Sequence, residues 1–152
     1  MYAIGTTNNK NEFEFVETDS IPIEMIVFAP KLEQTIAGIN ILMPSVGGAF
    51  VIGFLDQILF YGTEHLDEKT MRAIMWHEMG HKQFCHILGK QSNKTEIEAD
   101  TYAANHMTKE ELISLINWLK KARKSWGSIF LIVPFFQFTS RIRNLEKILK
   151  TK

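Results

Sequence analysis

Residues 58–81 read ILFYGTEHLDEKTMRAIMWHEMGH, and the structural pattern of the chain changes within this stretch. The four apolar residues at its start favour a short strand, which Gly62 ends. Asp67 is a suitable N-cap, because its carboxylate can accept hydrogen bonds from the first turn of a helix. The spacing of apolar residues then becomes helical and predicts a helix from Asp67 to about Leu88, stopped by Gly89.

Upstream of this stretch, the pattern favours strands. Phe13 and Phe15 alternate with Glu12 and Glu14, which is typical of a strand with one buried face. Three further strands are predicted, and a turn rich in glycine at residues 44–48 joins the last two of them into a hairpin. The first ten residues are polar, and we expect them to be frayed. The predicted strands are Phe13–Val16, Ile23–Phe28, Ile36–Met43 and Ala49–Phe54.

Downstream of the stretch, the pattern favours helices. Thr95 can cap a helix that extends to His106. Thr108 and Glu111 match a capping box for the next helix, which Gly127 breaks. A proline-interrupted apolar segment, residues 129–138, then leads to a final basic helix. The apolar stripe of the capping-box helix is Leu112, Leu115, Ile116 and Leu119, and the final helix is Ser140–Leu149.

The order of these elements favours an α+β fold, because strands come first and helices follow. We expect one domain over residues 1–152, in which a small, mostly antiparallel N-terminal sheet packs on the helix that begins at Asp67. Residues 1–20 are expected to be flexible. Residues 109–152 carry 10 basic and 3 acidic side chains and are expected to form a basic helical cap, whereas residues 1–108 carry 7 basic and 14 acidic ones.

The composition narrows the classes of function. Lys and Arg together number 17, as do Asp and Glu, so the formal net charge is zero and no nucleic-acid partner is expected. The single cysteine, Cys85, cannot form an internal disulfide. The N-terminal residues lack the basic and apolar regions of a signal peptide. These features predict a cytoplasmic protein.

A motif inside the first predicted helix carries candidate chemistry. Residues 77–81 read H-E-M-G-H, which matches the pattern H-E-x-x-H. His77 and His81 are four residues apart and share one face of a helix, so both imidazoles can bind one Zn²⁺. Glu78 lies beside the metal rather than on it. It can take a proton from a water molecule there and later deliver it to a leaving amine.

A third protein ligand is expected near the start of the next predicted helix, where residues 96–100 read E-I-E-A-D. Glu96 and Asp100 share a face of that helix, whereas Glu98 points away. We assign Glu96 as the third ligand and Asp100 as the carboxylate that accepts the free N–H of a ligating histidine. The alternative interpretation is two helical histidines and a glutamate on a solvated face, with the downstream acidic pattern an accident.

The two motifs together resemble the gluzincin metallopeptidases, in particular the branch of the CAAX-prenyl proteases and the heat-shock-induced membrane proteases. The chain length resembles that of their small soluble relatives, the minigluzincins. The resemblance covers roughly residues 48–145. It implies zinc-dependent peptide hydrolysis. By this resemblance, the metal ligands are His77, His81 and Glu96, the general base is Glu78, and the supporting acid is Asp100.

The resemblance extends to both sides of the motifs. Gly48-Ala49-Phe50 is similar to the family's substrate-binding strand, which implies that an extended substrate pairs with the main chain of Gly48–Ile52. Gly48 stands where the family has asparagine. Downstream, Ser140-Arg141-Ile142 matches an arginine-containing segment near the family's site, which implies a substrate-binding or transition-state role for Arg141. The histidine that precedes this segment in the family is replaced by Phe135.

The predicted function is therefore a zinc metallopeptidase that cleaves a peptide or protein substrate. One alternative is a latent or catalytically silent protein that keeps the metal scaffold for protein binding, with residues 1–20 in the cleft of the latent form. Another is peripheral contact with a membrane through residues 118–138, where basic residues lie between two tryptophans and an apolar segment follows. His86, nine residues after His77, is expected on the opposite side of the helix and outside the metal site.

Overall fold

The computed structural model describes residues 1–10, 12–51, 57–86, 92–126 and 132–152, and confirms the α+β class. The described residues divide into two compact units, Met1–Asp67 and Glu68–Lys152. The first unit contains β1 (Tyr2–Thr7), β2 (Phe13–Thr18), α1 (Ile23–Phe28), α2 (Leu32–Leu42), β3 (Gly48–Val51), β4 (Ile58–Tyr61) and a short 3₁₀ turn (Thr63–His65). The second contains α3 (Glu68–Gln83), α4 (Asn93–His106), α5 (Lys109–Trp126) and α6 (Ile132–Leu149).

The sheet of the first unit is antiparallel throughout, with strand order β2-β1-β4-β3. The expectation that the first ten residues are frayed is wrong, because Tyr2–Thr7 form β1, an interior strand of this sheet. Tyr2 pairs with Thr18 on one side and with Tyr61 on the other. Small residues, Ala3 and Gly5, alternate along its buried face and give a weak apolar signal in the sequence. Pairing with a neighbouring strand on each side stabilises β1, although its own sequence gives only a weak apolar signal.

Two of the predicted strands are helices. Ile23–Phe28 forms α1, and Ile36–Met43 falls in α2 and its C-cap. The β-branched residues in both segments suggested strands, but the period of burial is helical, with Leu32 and Ile36 four residues apart. The predicted hairpin before β3 is therefore wrong as well. The core that these helices build against β4 consists of Ile21, Met25, Leu32, Ile36, Leu59 and Tyr61.

The predicted strand Ala49–Phe54 is confirmed as far as Val51, and its remaining residues lie outside the described ranges. This strand, β3, forms one edge of the sheet and pairs with β4. Gly48 lies opposite Tyr61, and a Cβ at Gly48 would come within 2.7 Å of Cζ of that tyrosine. The aromatic ring occupies the space of a side chain at this position, which explains why glycine stands here.

The helices of the second unit begin and end at local signals. α3 begins as predicted but ends at Gln83 rather than near Leu88, because Cys85 adopts a left-handed backbone conformation. The N-cap of α4 is Ser92 and not Thr95, whose hydroxyl instead completes the capping box with Ser92. α6 begins eight residues before the predicted Ser140. Its Pro134 lies in the first turn, where a helix has no acceptor for a backbone N–H.

The four helices pack as a closed set, in which α3 and α6 each contact both α4 and α5. The predicted apolar stripe of α5 is confirmed, since all four of its residues are buried. Ile142 and Leu145 of α6 are also buried. Within the described part of the chain, none of the helices has the length and apolar character needed to cross a membrane.

The start of α5 gives a stability prediction. Thr108 N–H donates to Oε2 of Glu111 at 2.7 Å, Glu111 N–H donates to Oγ1 of Thr108, and Arg72 Nε lies 2.8 Å from Oε1 of Glu111. Burial raises the pKa of Glu111, but these hydrogen bonds outweigh it and lower the pKa below 4.5. We expect Glu111→Gln to reduce the free energy of unfolding by about 1 kcal/mol at pH 7, the usual value of such a cap.

The pH dependence of this difference follows from the lowered pKa. A carboxylate with a depressed folded-state pKa stabilises the fold above its ordinary pKa and loses that contribution as the pH falls through the folded value. Urea unfolding at pH 7 and at decreasing pH below 4.5 measures the difference. The exposed neighbour Glu110 provides the control Glu110→Gln, which should leave stability unchanged. If Glu111→Gln reduced the free energy of unfolding equally at all pH values, the charge of Glu111 would not contribute to stability.

Candidate metal centre

Close approach of α3 and α4 places the two sequence motifs face to face. A Cβ on Gly80 would lie 2.8 Å from both Cα and the carbonyl oxygen of Ala99, so only glycine fits at this crossing. Ala99 and Ala103 are themselves fully buried. The small residues therefore let the backbones of α3 and α4 come close enough for His77 of α3 and Glu96 of α4 to share one site.

Three buried side chains converge between these helices. Nε2 of His77 and Nε2 of His81 are 3.0 Å apart, and the two oxygens of Glu96 lie 3.4 Å from them, Oε2 from His77 and Oε1 from His81. A tetrahedral ion with Zn-like bonds separates two of its ligand atoms by about 3.4 Å. The cluster His77, His81 and Glu96 could therefore hold one metal ion with little rearrangement.

Asp100 orients the first histidine of the cluster. Its Oδ1 lies 2.8 Å from Nδ1 of His77, and its side chain is completely buried. A carboxylate at this distance holds the proton on Nδ1, which leaves the Nε2 lone pair directed at the point where the ligand atoms converge. The structure thus places Asp100 as the sequence predicts, on the outer side of a candidate ligand.

Arg141 enters the site from α6 and is only 7% exposed. Its Nε and Nη2 donate to the two oxygens of Asp100 at 2.7 and 2.9 Å, a bidentate pair. Its Nη1 lies 2.8 Å from Oε2 of Glu96. The guanidinium predicted to contact substrate is therefore engaged by two carboxylates of the site, and in this arrangement it is their internal counter-ion.

The charges of the cluster favour a cation. Burial and Arg141 lower the pKa of His77, but Asp100 and Glu96 outweigh them and raise it to about 9. Burial raises the pKa of Asp100, but Arg141 and His77 outweigh it and lower it to about 2. Burial likewise opposes ionisation of Glu96, whose pKa is nevertheless far below its ordinary range because of hydrogen bonds from both histidines. The two carboxylates thus favour positive charge on His77, where a bound metal ion would take the place of the proton on Nε2.

Glu78 differs electrostatically from the other two carboxylates. It is partly buried, and this burial raises its pKa. The two histidines lower the pKa of Glu78, while the negative charge of Glu96 raises it further. Because all three of these groups act on it, Glu78 lies within the electric field of the cluster. A carboxylate with a raised pKa is better suited to accept and return a proton than one held permanently ionised.

His86 lies outside the candidate metal-binding cluster, as predicted, but it is not on the opposite side of the helix, because it contacts a candidate ligand. The left-handed conformation of Cys85, with φ of 52°, turns the chain at the end of α3 and brings Nδ1 of His86 within 2.9 Å of Nδ1 of His81. Nε2 of His86 in turn lies 3.1 Å from Oε2 of Glu98. Helical geometry alone placed His86 on the opposite side, and nothing in the sequence marks a cysteine for a left-handed turn.

The remaining predicted site residues, Gly48, Ala49 and Phe50, lie on the edge strand β3 of the first unit, Met1–Asp67. The metal-binding candidates all belong to the second unit, Glu68–Lys152. Comparison of the chain with protein-family models, with curated proteins and with solved structures finds no match.

Proposed function

We propose that this chain is a zinc metallopeptidase in which His77, His81 and Glu96 bind the ion. The observation that carries the proposal is the convergence of two imidazole nitrogens and one carboxylate group at distances of 3.0 to 3.4 Å. Two nitrogens and one oxygen suit Zn²⁺, and a site with three protein ligands leaves a fourth position open, as catalytic zinc sites do. The resemblance of the two motifs to the gluzincins supports the same assignment.

The residues around the cluster suit peptide hydrolysis. A bound Zn²⁺ supplies Lewis acidity, which polarises a carbonyl group and makes water a stronger nucleophile. Glu78 takes the proton from the attacking water and returns it to the leaving amine, a role that its raised pKa favours. Asp100 keeps the proton of His77 on Nδ1, and Arg141 keeps Asp100 ionised in a buried position.

The proposed substrate is an extended segment of a peptide or protein. β3 has the property that such a role requires, since an edge strand offers backbone N–H and C=O groups for pairing. Gly48, Ala49 and Phe50 stay the predicted residues for this contact. A cytoplasmic location, and peripheral membrane contact through residues 118–138, also stay predictions. The structure adds that Lys120, within that segment, pairs with Glu146 at 2.7 Å.

The test measures metal content and hydrolysis on the full chain. We expect one zinc ion per chain by elemental analysis and cleavage of a quenched fluorescent peptide mixture. A chelator should stop this cleavage and added Zn²⁺ should restore it. His81→Gln should abolish both zinc binding and cleavage, because a neutral amide replaces one of three ligands. His106→Gln, which changes an exposed histidine at the end of α4, should preserve both.

Two outcomes would contradict the proposal in different ways. A folded chain that takes up no zinc from a moderate excess would remove the metal site itself. A chain that binds one zinc ion but cleaves no peptide would instead favour the catalytically silent protein. Removal of residues 1–20 does not test latency cleanly, because that deletion takes away β1 and β2, half of the four-stranded sheet.

A further inference from the structure

His81 is connected to two further side chains on the outer side of the cluster. Its Nδ1 lies 2.9 Å from Nδ1 of His86, and Nε2 of His86 lies 3.1 Å from a carboxylate oxygen of Glu98. If His81 directs the Nε2 lone pair at a metal ion, its Nδ1 carries a proton. Nδ1 of His86 must then accept that proton's hydrogen bond, and Nε2–H of His86 donates to Glu98. Each ring nitrogen of His81 and His86 then has a partner while both imidazoles are neutral.

A strained backbone conformation at Cys85 brings His86 to this position beside His81. In a continuous helix, five residues would turn His86 about 140° away from His81. Instead, Cys85 adopts φ of 52°, and His86 N–H donates to the carbonyl oxygen of His81 at 2.9 Å. A left-handed conformation at a non-glycine residue costs about 1–2 kcal/mol. The side chain of Cys85 is exposed, so its own packing does not offset this cost. The contacts that offset it are those of the His86 side chain with His81 and Glu98.

Packing restricts the ring of His86 further. It stacks on Phe84 with ring centroids 5.6 Å apart, and it meets the ring of His81 edge-on at 5.1 Å. The side chain of His86 is 10% exposed, against 40% for Glu98. The imidazole is therefore held between two rings, with its hydrogen-bonding atoms aimed at His81 on one side and at a partly solvated carboxylate on the other.

We propose that His86 and Glu98 are positioning residues that fix the tautomer and ring orientation of His81. This inference rests on the proposed metal site, but it does not depend on peptide hydrolysis. The two histidines of the cluster are then oriented by different means. Buried Asp100 holds His77 directly, whereas Glu98 acts on His81 through an intervening imidazole. Groups that orient a metal ligand in this way usually change metal affinity by 10- to 100-fold when removed.

The first measurement is zinc affinity of the full chain by competition with a chromophoric chelator. We expect His86→Ala and Glu98→Ala each to weaken affinity about 10- to 100-fold. Glu98→Gln retains an acceptor oxygen for His86 and should therefore restore part of the loss. Lys94→Ala removes the other ion-pair partner of Glu98, 3.8 Å away, and should leave affinity unchanged. Thermal unfolding in excess chelator shows whether the variants stay folded. Substitution of Glu98 disturbs folding less than substitution of His86, because the side chain of Glu98 is partly exposed.

The second measurement is the tautomer of His81 by ¹⁵N NMR of the imidazole rings, in wild type and in His86→Ala. We expect a proton on Nδ1 of His81 that exchanges slowly in wild type and rapidly in the variant. Affinities of both alanine variants within twofold of wild type, or a wild-type proton on Nε2 of zinc-bound His81, would overturn the inference. A wild type that binds no zinc overturns it together with the metal site. Zinc binding without hydrolysis contradicts only the proposed activity, and a loss of affinity in the variants would still support the positioning pair.

Discussion

Replacement of Glu78 by glutamine should lower kcat/KM for peptide cleavage by about 10³-fold while zinc binding is kept. Glutamine has nearly the same shape as glutamate, but it cannot take a proton from water at neutral pH. The three ligand side chains are untouched, so the zinc content should stay at that of wild type. The measurement is steady-state kinetics together with elemental analysis on the same preparation.

The control for this variant lies on the same helix. Glu68→Gln neutralises an exposed carboxylate in the first turn of α3, and it should leave kcat/KM unchanged. Wild-type activity in Glu78→Gln would show that another group accepts the proton. Loss of zinc from Glu78→Gln would show instead that Glu78 is a ligand, which would change the assignment of the whole site.

Replacement of Gly80 by alanine should weaken zinc binding by at least 100-fold and reduce the free energy of unfolding by about 1–3 kcal/mol. The added Cβ would meet the backbone of Ala99 at 2.8 Å, and backbone atoms cannot move aside as a flexible side chain can. α3 and α4 must separate, which carries Glu96 away from the two histidines. Chelator competition and denaturant unfolding measure the two effects.

The sign of the stability change decides this prediction. Alanine is the better helix former by about 1 kcal/mol, so without the collision Gly80→Ala would stabilise the chain. Gly38, on α2, provides the matched control, because nothing lies within 4 Å of a Cβ built there. Gly38→Ala should stabilise the chain by about 0.5–1 kcal/mol. Stabilisation by both substitutions would mean that the two helices are not held together at Gly80.

The helical half of the fold could be predicted because its signals are local. The capping box of Thr108 and Glu111 and the apolar stripe that follows it involve residues only three or four positions apart, and both are present as predicted. The N-terminal half depends on pairing between distant residues. β1 carries little apolar signal of its own and becomes a strand through its neighbours β2 and β4. α1 and α2 are helices because their burial against the sheet outweighs the β-propensity of their residues.

The site divides in the same way. The three candidate ligands and Asp100 follow from helical spacing within two motifs, and the structure brings them together. The engagement of Arg141 with two carboxylates could not be read from spacing, because it depends on how α6 packs beside α4. His86 was misplaced because helical geometry was extended through a residue, Cys85, at which the helix has already ended.

The bidentate ion pair between Arg141 and Asp100 also determines how much of the chain must be moved if the site is to be built into another protein. A two-helix graft that copies residues 77–100 onto another scaffold would reproduce every position that a motif search inspects. It would also bury a carboxylate without its guanidinium, and breaking a buried ion pair in this way costs about 3–5 kcal/mol. A successful transplant must therefore bring a third helix that delivers an arginine to Asp100, although that arginine lies 41 residues away along this chain.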